Sequence, residues 1–115
     1  MTNEEIENKR HELETKLGCE VHAFVFTDPK TNEIYTGFLQ EPDRITKMQC
    51  IDMALQSWTL GAKQILDTCI LKEESHPYTW EEFYGRDSKR DAVYLGALQF
   101  SQTLIRRYTD TFKKK

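Results

Sequence analysis

Little in this sequence offers chemistry, and each shortage excludes something. Its five glycines are never adjacent, so there is no glycine-rich loop to cradle a phosphate. Its three cysteines, Cys19, Cys50 and Cys69, are an odd count with no close pair. That count argues against a disulfide framework and suits a reducing compartment with free, mostly buried thiols. No apolar run approaches the ~20 residues that cross a bilayer, so no membrane span is expected. The start, Met1-Thr2-Asn3-Glu4-Glu5, is acidic and lacks the basic opening and apolar centre of a signal peptide. Positive charge is not in excess either. Lys and Arg number 16 against 19 Asp and Glu, giving a net charge of −3 and a pI near 5.6. A nucleic-acid partner is therefore not expected, since such affinity comes from cations that displace the counterions of the phosphates.

What is present describes one small folded unit. The 115 residues suit a single domain, 1–115, long enough to bury a core without staples. An aromatic fraction of 11% argues against disorder. Residues 3–17 read as a charged helix opened by a Thr2/Glu5 capping box and stopped at Gly18, with Ile6, Leu13 and Leu17 as a thin apolar stripe. Residues 20–40 read as a β-hairpin. Val21, Ala23 and Val25 fall on one face of its first strand, and Phe24 and Phe26 on the other, so both faces call for cover. The strands are joined by the turn-forming run Asp28-Pro29-Lys30-Thr31-Asn32.

Residues 43–112 read as helical. Ile45, Met48, Ile51, Leu55 and Trp58 predict an amphipathic helix over about 43–57, with Pro42, Asp43 or Thr46 at its start and a break at Gly61. Ala62, Ile65, Leu66, Cys69 and Ile70 predict the core face of a third helix. Thr79-Trp80-Glu81-Glu82 has the capping-box pattern and predicts a short helix ending by Gly85. Ser88 with Asp91 opens a final helix of about 25 residues, roughly 37 Å long. Its apolar positions are Val93, Ala97, Phe100, Leu104, Tyr108 and Phe112, widened by Tyr94, Leu98 and Ile105. Arg106, Arg107 and Lys113–Lys115 crowd the last ten residues, where positive charge suits the helix dipole. The fold class is therefore α+β: an antiparallel β-hairpin packed against three to four helices, with a long C-terminal helix. A two-stranded hairpin is marginal alone, so the sheet is expected to lean on helices or on another copy. The final helix and Phe24/Phe26 are the natural dimer surfaces, and a homo-oligomer is expected.

Catalytic, cofactor-binding and metal-ligating constellations are not expected. Cys19 and His22 have ligand-like spacing, but His11, Cys50, Cys69 and His76 are scattered over other elements, and a zinc site needs about four convergent ligands. The pairs Glu73-Glu74 and Glu81-Glu82 are sequence neighbours, which do not face each other on a helix. Cys50 and Cys69 lie on apolar helix faces, where thiols behave as small hydrophobes. Trp58, Trp80, Phe83 and Tyr84 are the candidate partner-binding residues, because exposed Trp and Tyr dominate binding hot spots; ordinary core capping is the plainer account of the same residues.

The run Gly37-Phe38-Leu39-Gln40-Glu41-Pro42-Asp43-Arg44-Ile45-Thr46-Lys47-Met48 ends a hairpin and launches a helix from Pro-x-Arg. A helix pair leads to Ile65-Leu66-Asp67-Thr68-Cys69-Ile70-Leu71, then an acidic loop and a long helix ending in lysines. Over about residues 20–115 this layout resembles the tail-assembly-chaperone-like proteins of bacteriophages, notably those infecting gut Bacteroidetes. The helix at 3–17 lies outside the resemblance. The resemblance implies a protein without catalysis or cofactor, working in the host cell cytoplasm during infection. There it would cover the long, apolar, helical tape-measure protein before the tail tube forms. A structural component of the virion, in the tail, neck or packaged contents, is the alternative. No binding residue is carried over from the family.

Overall fold

The hairpin is the layer to which everything else is fitted. The computed structural model describes residues 2–113, with side chains described from Thr2 to Asp110. Strand β1, Val21–Thr27, pairs antiparallel with β2, Ile34–Gln40, with Val21 opposite Gln40 and Thr27 opposite Ile34. Asp28 Oδ1 accepts the Lys30 N–H at 2.9 Å, and Asn32 takes a left-handed φ of 60° to close the turn. Side chains alternate across the ribbon, so Val21, Ala23 and Phe38 look one way and Phe24, Phe26 and Leu39 the other.

Helix α1, Asn3–Leu17, covers the first face. Thr2 and Glu5 form the expected reciprocal capping box, each backbone N–H donating to the other's side chain at 3.2 Å. Gly18 ends the helix in a left-handed turn with φ 71°. Ile6 and Leu13 are buried with Val21 and Phe38 in a cluster of their own, with Ala23 and Leu71 alongside. Leu17, the third residue of the expected stripe, stays exposed. Glu14 joins helix and strand by accepting from the Val21 N–H at 3.0 Å and from Arg10 at 2.8 Å.

The second face meets the main core, made by α2 (Arg44–Gln56), α3 (Trp58–Cys69) and α4 (Ser88–Lys113). Phe24, Leu39, Cys50, Ile65, Leu66, Cys69, Leu104 and Ile105 are all buried there. The architecture is α+β, with the hairpin between one helix and a three-helix layer. Phe24 stacks on Phe100 with ring centroids 5.1 Å apart, and it can do so because its cross-strand neighbour is Gly37. A Cβ at position 37 would overlap the Phe24 ring. Phe26 leans on Tyr35 and over Gly96. Phe24 is thus spent inside the chain and is not free to form the dimer surface expected of it, while Phe26 stays half-buried. Segment 70–76 runs along the outer edge of β2: the Leu71 N–H donates to Phe38 O and the His76 N–H to Thr36 O, each at 2.9 Å.

Four expectations about the helices are corrected. Gly61 does not break the helical run; Ser57 does. Its N–H donates to Met53 O at 2.9 Å to close α2, while its hydroxyl accepts from the Leu60 N–H at 3.4 Å to open α3. Trp58 therefore begins a helix instead of ending one. Gly61 lets the two helices touch, since a Cβ there would stand 2.7 Å from Ala54 Cβ and 2.8 Å from Cys50 O.

The expected amphipathic stripe of α2 faces outward except at Ile51, which is half-buried against the main core. Ile45, Met48 and Leu55 are 66%, 60% and 83% exposed, while the small residue Cys50 is buried. Size decides this orientation, because only small side chains fit where α3 comes so close. Asp43 is the N-cap of α2, accepting the Thr46 N–H at 2.8 Å.

The helix expected to start at Thr79 does not form. Thr79 is buried in a 3₁₀ turn, Pro77–Thr79, its hydroxyl donating to His76 O at 2.7 Å, so it is not free to cap a helix downstream. Asp87, not Ser88, caps α4 by accepting the N–H groups of Lys89 and Arg90 at 3.1 and 3.4 Å. The expected core positions of α4 face inward or are half-buried, except that the Phe112 side chain lies outside the described residues, as do Lys114 and Lys115.

Gly37→Ala is expected to cost about 1–3 kcal/mol in urea unfolding, the usual range for overpacking, because the Phe24 ring is already pinned by Phe100. Gly18→Ala, opposed only by its left-handed backbone, should cost about 1–2 kcal/mol. A Gly37→Ala protein as stable as the parent would show that the Phe24 ring is free to move aside.

Candidate functional site

The aromatic residues singled out in the sequence do not form one patch. Trp58, at the corner between α2 and α3, lines a groove of about 400 Å³ with Ile51, Ala54, Leu55, Arg106, Thr109 and Asp110. One wall is the apolar flank of α2 and the other is the polar end of α4. The Arg106 guanidinium carbon lies 5.7 Å from the Trp58 ring centroid, a cation–π contact across the groove. Trp58 is 46% exposed, so its indole is available to a partner.

Trp80 packs against the main core. It is half-buried, capped by Lys72 Nζ at 5.1 Å, and its indole N–H is shielded without a hydrogen-bond partner among the described residues. Phe83 and Tyr84 lie on the connection before α4, beside a cleft of about 200 Å³ that Tyr78, Arg90 and Tyr94 also line. Arg90 is held between two rings, 3.9 Å from Phe83 and 5.0 Å from Tyr78, with Glu81 at 3.4 Å from its terminal nitrogen. Its Nε is buried without an acceptor among the described residues. Arg90 thus fills much of the space between the aromatic residues and anchors their loop to α4. A density of aromatic residues over 78–84 was visible in the sequence; the arginine that organises them, several residues on, was not.

A second polar cluster was also missed. Glu41, just after β2, has Oε1 2.8 Å from His22 Nε2 and 3.2 Å from the Tyr108 hydroxyl, which donates to it, while Lys47 Nζ lies 2.9 Å from Oε2. Lys47 also sits 4.9 Å over the Tyr108 ring. Burial pushes the Glu41 carboxyl up, but hydrogen bonds from His22 and Lys47, with their charge, outweigh it and hold the group below the ordinary carboxylate range. Burial, followed by the Glu41 charge, pushes the Tyr108 phenol well up. The network ties the exit of the hairpin to α2 and α4. Glu20, His22 and Glu41 also bring one ligand-type atom each within 4.8 Å of one another, the one such group among the described residues. Cys19 is not in it. Glu41 already has a cation and a phenol on its oxygens, so the arrangement is that of a satisfied ion-pair network.

The thiols are free: Cys50 and Cys69 are buried and Cys19 is partly exposed. Burial pushes Cys50 up and Cys69 up to about 12, so neither is a thiolate at neutral pH. No described helix is long and apolar enough to cross a membrane. In comparisons with family models, curated proteins and solved structures, nothing matches this chain.

A thiol reagent at neutral pH is expected to modify Cys19 alone in the native protein, with Cys50 and Cys69 reacting only after denaturation. Rapid labelling of Cys69 would show that the packing of α3 opens readily. The lowered carboxyl of Glu41 gives a second expectation. A group whose folded-state value is depressed stabilises the fold above its unfolded value and loses that contribution as pH falls through the folded one. Stability should therefore drop in mild acid, and Glu41→Gln should flatten that part of the pH profile. An unchanged slope in the variant would place the acid sensitivity elsewhere.

Proposed function

We propose that this chain is a non-catalytic binding protein that covers an apolar helix of a partner protein. The observation that carries the reading is the groove beside Trp58, where apolar side chains of α2 lie open to solvent next to the charged end of α4. A channel between two helices with an apolar floor and a polar rim suits an amphipathic helix lying in it. Arg106 and Asp110 on the α4 wall would set its direction by pairing with its polar edge. The resemblance of residues 20–115 to tail-assembly-chaperone-like proteins makes the partner a phage tape-measure protein, whose length and apolar stripes require cover before the tube assembles.

A tagged chain recovered from infected host cells is expected to bring down a long helical phage protein, and the chain should be absent from finished virions by mass spectrometry. Trp58→Ala should weaken that capture by about 2 kcal/mol, the usual threshold for a hot spot, with an unchanged circular dichroism spectrum. Stable presence in virions would instead make it a structural component. Capture indifferent to Trp58→Ala would move the binding surface away from the groove.

A further inference from the structure

The outer face of α2 carries a row that the groove does not use. Arg44, Met48 and Asp52 are spaced four residues apart, so they form one ridge on the helix. All are exposed, and neither Arg44 nor Asp52 makes an ion pair among the described residues. Ile45, also exposed, flanks this ridge. An apolar centre with unpaired charges of opposite sign at its two ends is complementary to itself.

We infer that two copies of this chain pair through α2, antiparallel, about a twofold axis beside Met48. Positions 44 and 52 are equidistant from 48, so the axis brings Arg44 of each copy level with Asp52 of the other and sets the two Met48 side chains together. Ile45 of one copy then covers the half-buried Ile51 of the other. Ridges of this spacing run parallel when two helices cross at about −50°, the commonest packing class. The crossing lays the two ridges side by side and carries the end charges toward each other. A symmetric contact of this kind is the usual way a homodimer closes.

The charges also discriminate among occupants. A purely apolar partner helix would leave Arg44 and Asp52 desolvated and unpaired, which is costly, whereas a second copy satisfies both. One helix crossing buries less than the roughly 1,600 Å² of a standard interface, so association should be weak, of about micromolar strength. The pairing uses Ile51, one residue of the Trp58 groove, and leaves Trp58 and the α4 wall to whatever binds there.

The test is a charge exchange read by sedimentation equilibrium of the full chain over a wide concentration range. Wild-type protein is expected to move from monomer to dimer. Arg44→Asp places two aspartates against each other, and Asp52→Arg two arginines, so each variant alone should dimerise at least about tenfold more weakly. Mixed together, the two variants pair each aspartate with an arginine and should recover dimer. Both positions are exposed, so folding is not at issue, and circular dichroism of each variant verifies it. A wild-type chain that stays monomeric well above micromolar concentration overturns the inference. So does a mixture that associates no better than its components, which would place any dimer on another face.

Discussion

A two-stranded ribbon that is apolar on both sides is stable in water only if both sides are covered, and that constraint sets the arrangement of this fold. Phe38 and Val21 look toward α1, while Leu39 and Phe24 look toward α3 and α4. Neither layer of helices covers both faces. The close fit on the larger side depends on Gly37, whose missing side chain lets the Phe24 ring lie flat across β2 and reach Phe100. The outer edge of β2 is closed by segment 70–76, so the strand does not present a row of unpaired backbone groups there.

The same preference for small over large recurs between α2 and α3. Gly61 brings the helices so close that α2 must turn Cys50 and Ala54 inward. Its large apolar residues other than Ile51 then face out. An exposed leucine is unremarkable singly, but Ile45, Met48, Leu55 and Trp58 along one short helix and its corner form a surface whose origin is packing on the opposite side. What is available for binding is thus a consequence of how tightly the helix pair closes.

Much of this was legible in the sequence. Alternation in 21–26 and the turn residues at 28–32 gave the hairpin to within a residue, and the period of apolar positions gave α1, α3 and α4. What failed was whatever depends on a partner far along the chain. The stripe on α2 has the right period but the wrong side, because periodicity says that a helix has two faces without saying which one a neighbour will choose. Gly61 looks like punctuation in one dimension and is a contact point in three. Thr79-Trp80-Glu81-Glu82 has the letters of a capping box, but the preceding turn captures the threonine hydroxyl and the core takes the tryptophan. The candidate site suffered in the same way: Trp58 meets α4 and Phe83 meets Arg90, and neither pairing leaves a local trace.

The apolar cluster beneath α1 is separate from the main core. Its anchors to the rest of the chain are few: Ile6 and Leu13 inside, Arg10 and Glu14 on β1, and Lys9 reaching Glu74 at 3.2 Å. Opening that layer alone breaks none of the contacts among α2, α3 and α4. On that arrangement α1 is expected to detach at a lower free energy than global unfolding. Each such excursion uncovers Val21, Ala23 and Phe38 together, so the same movement that loosens the first helix briefly creates a second sticky face on the sheet.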